Sequence, residues 1–211
     1  MPKPSATARA RKIKLILFDV DGVLTDGTIW IFPIPGGSQS GAQPSALERS
    51  SPGFSQAGFS QEGHTTSMIE AKGFHAHDGT AISLARQAAI KTGIITKRVS
   101  ETVALRAHAL RMDHIHQGVQ DKAGMLAEIL KKDGITAAEA AFVGDDVIDL
   151  PAMRMCGLAI AVKNARAEVK AEAHWITPHG GGDGAARDAV EYILKAQGKW
   201  KRAMEDYIRK G

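Results

Sequence analysis

The stretch that most constrains this chain is residues 14–28, KLILFDVDGVLTDGT. An apolar run, Leu15 to Phe18, carries two carboxylates, Asp19 and Asp21, onto a turn loosened by Gly22 and Gly27. Such a strand followed by acids on a glycine turn is how an enzyme presents carboxylates at a strand's end.

The rest of the chain alternates short strands with helices. TIWIF (residues 28–32) alternates and is rich in β-branched and aromatic residues, so it reads as a strand. Residues 33–66 are half Gly, Ser and Pro with no hydrophobic period, and predict a flexible inserted loop. SMIEAKGFH (67–75) resumes strand character and pairs with TIWIF as an antiparallel hairpin whose tip is that loop. Asp78 is expected to cap a helix that buries Ile82, Ala85 and Ala89. KTGIIT (91–96) is a strand ending in Thr96, and Ser100 with Glu101 opens a helix through Val103, Leu110 and Met112. After a brief strand at 114–116, Asp121 caps a helix that buries Met125, Leu126, Ile129 and Leu130 and stops near Gly134. Thr136 and Glu139 make a capping-box pattern before the strand AAFVGDD (140–146). Residues 158–162 and 175–177 are further strands, 165–173 and 185–197 further helices.

This alternation implies right-handed crossovers and an α/β, Rossmann-like three-layer fold: a central parallel sheet with helices on both faces, plus a β-hairpin excursion after the first strand. Ligands of such sheets bind beyond the carboxyl ends of the strands, where Asp19, Thr96 and Asp145 all fall. At 211 residues the chain suits one domain (13–200, with the inserted loop at 33–66) between a flexible basic tail (1–12) and a C-terminal tail (201–211).

The single cysteine, Cys156, excludes a disulfide framework and a cysteine metal site, and suits a reducing cytoplasm. MPKPSATARARK has no apolar centre for a signal peptide, and no apolar run approaches the roughly 18 residues of a membrane helix. The formal charge of +4 comes partly from the two tails and not from a basic, aromatic-rich face, which argues against nucleic acid and fits a small anionic substrate.

Aspartate can act as a nucleophile toward phosphorus, splitting one difficult displacement into two through an aspartyl-phosphate; Asp19 is the candidate. Asp21, two residues on, can protonate the leaving oxygen and later deprotonate water. Carboxylates facing a phosphate need positive charge, and hard oxygen donors favour Mg²⁺. The Asp19 and Asp145 side chains and the Asp21 carbonyl are the expected metal ligands, with Asp146 and Asp149 holding metal waters or orienting Lys122. Lys122, near a helix start, can neutralise both nucleophile and phosphoryl oxygens, while Thr96 and nearby amides donate to them. Each piece alone is common in structural roles. The ordered set DVDGVLTDG, IIT, DK, GDDxxD, each at an element boundary, is not.

These segments resemble the four motifs of the haloacid dehalogenase superfamily of phosphatases: FDVDGVLTDG the first, IIT the second, the DK lysine the third and VGDDVIDLP the fourth. The likeness runs from about residue 12 to 200 and is strongest to small-capped members acting on phosphorylated sugar acids. It implies a Mg²⁺-dependent homotetramer whose subunit interface is built by the hairpin after the first motif, and a role in lipopolysaccharide biosynthesis. It also implies substrate contacts from Thr96, Lys97, Arg98, His77 and Asp78. Three positions depart from the family pattern: His77 and Asp183 stand where Arg is usual, and Lys97 where Gly is usual. An anion partner is thereby weakened at one position and reversed in charge at another. Another sugar-acid phosphate, or a non-catalytic regulatory or binding domain, therefore stand as alternatives. A histidine metal centre from His75, His77, His114, His116 and His179 is the minor alternative to the carboxylate site.

Overall fold

The computed structural model describes residues 4–33 and 68–210. In chain order the elements are α1 (Ala6–Ala10), β1 (Leu15–Phe18), β2 (Trp30–Pro33), β3 (Met68–Ala71), α2 (Ala76–Gln87), β4 (Lys91–Ile95), α3 (Glu101–Ala109) and β5 (His114–His116). They continue as α4 (Lys122–Asp133), β6 (Ala140–Gly144), α5 (Leu150–Met155), β7 (Leu158–Ala161), α6 (Ala167–Glu172), β8 (Trp175–Ile176), α7 (Ala185–Ala196) and α8 (Trp200–Lys210). The chain divides into two compact units, Met1–Thr28 with Gly73–Gly211, and Ile29–Lys72.

The larger unit is built on a six-stranded sheet in the order β5-β4-β1-β6-β7-β8, every neighbouring pair parallel. All four residues of β1 are buried, as a central parallel strand covered on both faces requires. Helices pack in two groups: α2 against α7 and α8, with α1 on α7; and α4 against α5, with α5 on α6. The core between these layers is anchored by Phe18 and Phe142 on adjacent strands, both fully buried. Phe18 pairs in register with Ile94 of β4 and Val143 of β6. Asp19, Thr96 and Asp145 lie one or two residues beyond that row, so all three leave the sheet at the same carboxyl edge.

In the smaller unit β2 and β3 form the expected antiparallel pair, Trp30 opposite Ala71 through Pro33 opposite Met68. Trp30, Ile31, Phe32, Met68 and Ile69 are all exposed on it. Apart from Pro33, the inserted loop at 33–66 lies outside the described residues.

Several boundaries differ from the sequence expectation. Where a flexible tail is expected, residues 6–10 form α1: the Ser5 side chain accepts the Ala8 amide, Ala10 is buried, and the Arg9 guanidinium donates to the Gly157 carbonyl at 2.7 Å. Alanine-sized contacts leave no hydrophobic period to read. The expected C-terminal tail is α8, which packs Trp200 and Ala203 toward the core, with Arg187 over the Trp200 ring at 4.9 Å. Asp78 does not cap α2: His75 is its N-cap, and Asp78 sits inside the first turn. Ala89 lies past the end of α2, exposed and left-handed at φ 59°, so the buried face is Ala81, Ile82, Leu84 and Ala85. Leu110 and Met112 follow the end of α3. Among the described residues no helix is long and apolar enough to cross a membrane.

Candidate active site

The site is assembled at the carboxyl edge of β1, β4 and β6. Its centre is Lys122, the first residue of α4. Asp121 caps that helix, its side chain accepting the Gly124 amide at 2.9 Å, and left-handed Gly134 (φ 64°) ends it. Lys122 is 3% exposed. Its Nζ lies 2.8 Å from Asp19 Oδ1 and 2.6 Å from Asp149 Oδ1.

Asp149 is fully buried, and its other oxygen, Oδ2, accepts the backbone amides of Asp145 at 3.0 Å and Asp146 at 3.3 Å. One carboxylate thus ties the α4 lysine to the turn after β6. Gly144 makes room for it, since a Cβ there would stand 2.6 Å from the Asp149 Cβ. Asp146 is exposed and accepts the Val147 amide at 2.6 Å, opening the short turn Val147–Asp149.

Asp19, Asp145 and Asp149 can bring carboxylate oxygens within 4.8 Å of one another. The expected metal set takes Asp19 and Asp145 through their side chains and Asp21 through its backbone carbonyl; the carboxylate cluster adds Asp149 to the two side chains. The Asp21 side chain is turned toward Arg98, whose Nε is 3.5 Å from Asp21 Oδ2. The histidines weighed above join no such cluster among the described residues.

Three carboxylates against one ammonium leave the site short of positive charge. Burial, reinforced by the Asp149 charge, pushes Asp19 up to about 6 despite the opposing Lys122 ammonium. Burial, with Asp149 and Asp19 adding to it, pushes Asp145 up to about 7. Burial is also the largest influence on Lys122 and favours its neutral form, but the Asp19 and Asp149 carboxylates outweigh it and hold the pKa above its ordinary value. Asp145 Oδ1 is buried with no hydrogen-bond partner. A divalent cation with oxygen preference fits this set: it would satisfy the orphaned oxygen and supply the missing charge.

Gly22 brings the first acid turn against this cluster. It is left-handed at φ 91°, and a Cβ there would stand 2.2 Å from Asp145 Oδ2, so only glycine allows the approach. Gly181 and Gly182, which belong to none of the four motifs, press on the same turn, the Gly182 amide donating to the Val23 carbonyl at 3.3 Å. Three successive glycines between a strand and a helix were the available signal.

The remaining residues are distributed as follows. Thr96 is buried at the end of β4, its amide held by the His116 carbonyl at 3.0 Å and its carbonyl accepting the Val119 amide at 3.0 Å. Lys97 and Arg98 are exposed just beyond it. His77 is exposed in the first turn of α2, edge-on to His75 at 4.8 Å. Asp78 differs from an open substrate contact: it is 4% exposed, and its Oδ1 accepts the Arg187 amide at 2.8 Å, pinning α7 to α2. Burial raises its pKa. Asp183 is exposed in the loop before α7.

A family model described as haloacid dehalogenase-like hydrolase matches residues 74–187. The 3-deoxy-D-manno-octulosonate 8-phosphate phosphatase of Escherichia coli K12 is 33% identical over 196 residues, 93% of this chain and 87% of that protein. The crystal structure of the Moraxella catarrhalis enzyme of that name, in complex with magnesium, phosphate and KDO, is 33% identical with a TM-score of 0.76; the match covers 96% of this chain and 97% of that one. A cobalt-bound Haemophilus influenzae structure of the same activity is 28% identical, with a TM-score of 0.71 and coverage of 93% and 98%.

Proposed function

On the premise that this chain belongs to the haloacid dehalogenase-like hydrolases and is a phosphatase, we propose that it is a Mg²⁺-dependent phosphomonoester hydrolase. Its substrate in this reading is a small phosphorylated sugar acid, 3-deoxy-D-manno-octulosonate 8-phosphate, in the cytoplasm and in the service of lipopolysaccharide biosynthesis. The observation that carries the reading is the pairing of Asp19 with Lys122 at 2.8 Å beside the unpartnered oxygen of Asp145: a nucleophile, a cation and a vacant ligand atom in one buried site.

Asp19 and Asp145 would hold the metal through side-chain oxygens and Asp21 through its carbonyl. When bound, Mg²⁺ neutralises phosphoryl charge and lowers the carboxylate pKa values. An Asp19 oxygen attacks phosphorus and the ester P–O bond breaks, its electron pair leaving on the sugar oxygen. Asp21 gives that oxygen its proton. Water then attacks the aspartyl-phosphate at phosphorus, yielding its proton to Asp21, and the bond to Asp19 breaks to release inorganic phosphate. Lys122 keeps Asp19 ionised and offsets charge on the phosphoryl oxygens, while Asp149 orients Lys122. Thr96, Lys97 and Arg98 contact the phosphate side, with His77 on the sugar-acid side. Asp78 supports that edge from within, and Asp146 lies beside the metal waters.

The exposed apolar residues of β2 and β3 fit burial in a homotetramer, the assembly that the family resemblance implies. His77 and Asp183, standing where arginine is usual, favour as second reading another sugar-acid phosphate, such as a nononate 9-phosphate. Phosphate release over a panel of sugar-acid phosphates, run with Mg²⁺ and with EDTA beside Asp19→Asn, tests both. Equal slow turnover of every compound would sink the sugar-acid assignment. No turnover of any phosphoester, with Asp19→Asn unchanged, would leave a binding domain.

A further inference from the structure

Asn164 lies in the loop between β7 and α6. Its side chain reaches two backbones at once: Oδ1 accepts the Gly181 amide at 2.8 Å, and Nδ2 faces the Gly22 carbonyl at 3.5 Å. An amide donor on one side and a carbonyl on the other fix which end is oxygen and which is nitrogen. The two backbones also touch directly. A Cβ on Gly181 would stand 1.8 Å from the Gly22 oxygen, and one on Gly182 would stand 2.4 Å from the Asp26 nitrogen. The glycine loop is held from outside as well. Thr177 Oγ1 donates to the His179 carbonyl at 2.6 Å, the same carbonyl accepts the Lys163 amide at 3.2 Å, and the His179 amide donates to Asp188 at 2.9 Å. Asn164 is therefore a side chain that joins this strapped loop to the turn carrying Asp21 and facing Asp145.

We propose that Asn164 is a positioning residue for phosphoryl transfer. It touches neither substrate nor reacting atoms; it holds the Gly22 carbonyl, one peptide beyond Asp21, so that the Asp21 carboxyl stays aimed at the leaving oxygen and Gly22 stays against Asp145. The inference rests on the phosphatase reading above, in which Asp21 moves the proton. Asn164 is exposed, yet both of its hydrogen bonds are partly shielded from water. An amide with two complementary partners is suited to this, because displacements of about 1 Å in a catalytic turn cost on the order of 10²-fold in rate, and outer residues that orient a site carry about 10–100-fold.

The test uses the full chain with p-nitrophenyl phosphate and Mg²⁺, comparing wild type, Asn164→Ala and Asn164→Asp. Alanine removes both contacts; aspartate keeps the acceptor for Gly181 and sets an oxygen against the Gly22 carbonyl. The expected result is kcat lower by about 10–100-fold in both variants, with KM within about threefold of wild type and a thermal midpoint showing that each is folded. Wild-type kcat in Asn164→Asp would reduce Asn164 to an anchor for the glycine loop and overturn the proposal, as would a change in KM alone. Should wild type and Asp19→Asn turn over the ester equally, the phosphatase reading fails, and hydrogen exchange then decides the clamp separately. Faster exchange of the Val23, Leu24 and Thr25 amides in Asn164→Ala supports it; unchanged exchange overturns it.

Discussion

Lys122 and Asp149 meet at 2.6 Å inside the protein, the carboxylate fully buried and its second oxygen filled by two backbone amides. The pair is thus a brace between α4 and the turn after β6 as well as a source of charge. Removing one partner of a buried pair leaves the other uncompensated, typically at about 3–5 kcal/mol. Asp149→Ala is expected to lose stability on that scale in urea unfolding. Asp149→Asn, which keeps the shape, should fold and lose about 10–100-fold in kcat as Lys122 is freed to reorient. Wild-type kcat in the asparagine variant would show that the brace does not matter to turnover.

The raised pKa values of Asp19 and Asp145 set the sign of a stability profile. Between the ordinary value of 3.8 and about 6 for Asp19 or about 7 for Asp145, the folded protein holds protons that the unfolded chain has released. Stability of the metal-free protein therefore falls as pH rises through this window. Saturating Mg²⁺ should flatten the slope by stabilising both ionised carboxylates. Thermal midpoints from pH 4 to 8 with EDTA and with Mg²⁺ make the comparison, and parallel curves would count against a cation at this cluster.

Gly22→Ala should uncouple folding from cation binding. Its Cβ would arrive 2.2 Å from Asp145 Oδ2 on a backbone with φ 91°, so Asp145 must turn away from the cluster. Apparent Mg²⁺ affinity measured by calorimetry should weaken by about 10-fold or more, accompanied by a loss of about 1–2 kcal/mol from the left-handed backbone. An unchanged affinity would mean that Asp145 is not a ligand.

Ala89 occupies the left-handed region, φ 59°, exposed just past α2. Glycine should relieve that strain, so Ala89→Gly is expected to raise stability by about 0.5–1 kcal/mol without touching the site. A shift of the urea midpoint with an unchanged slope would establish it.

The exposed hairpin gives the proposed homotetramer a direct test. Replacing Phe32 and Ile69, which are directly opposite in the pair and share one face with Trp30, by lysine puts charge on that apolar face and should give a smaller species in analytical ultracentrifugation if the proposed tetramer is built on it. The same mass in wild type and variant would rule this face out as the contact of the proposed tetramer.

The strands that form the site were readable because each is a short apolar run that ends in chemistry: Phe18 before Asp19, Ile95 before Thr96, Gly144 before Asp145. Parallel order followed from their alternation with helices. What was not readable depended on contacts remote in sequence. Ala6–Ala10 is a helix because its small side chains sit on α7, which no period of its own reveals. Asp78 resembled a cap, yet its carboxylate serves the Arg187 amide from more than a hundred residues away. Asp149 as the partner that orients Lys122 was legible in the GDDxxD spacing; its second oxygen, taken by the Asp145 and Asp146 amides, was not.

The place of β1 has a consequence for synthesis. It is the first strand made, yet its two neighbours are β4, at residues 91–95, and β6, at residues 140–144. On the ribosome it must wait with both edges unpaired, exposed to stray pairing, until most of the chain has emerged. Asp19 gains the company of Asp145 and Asp149 only then, so a nascent or truncated chain lacking β6 lacks the whole acidic cluster. The enzyme cannot begin to work before it is nearly finished being made.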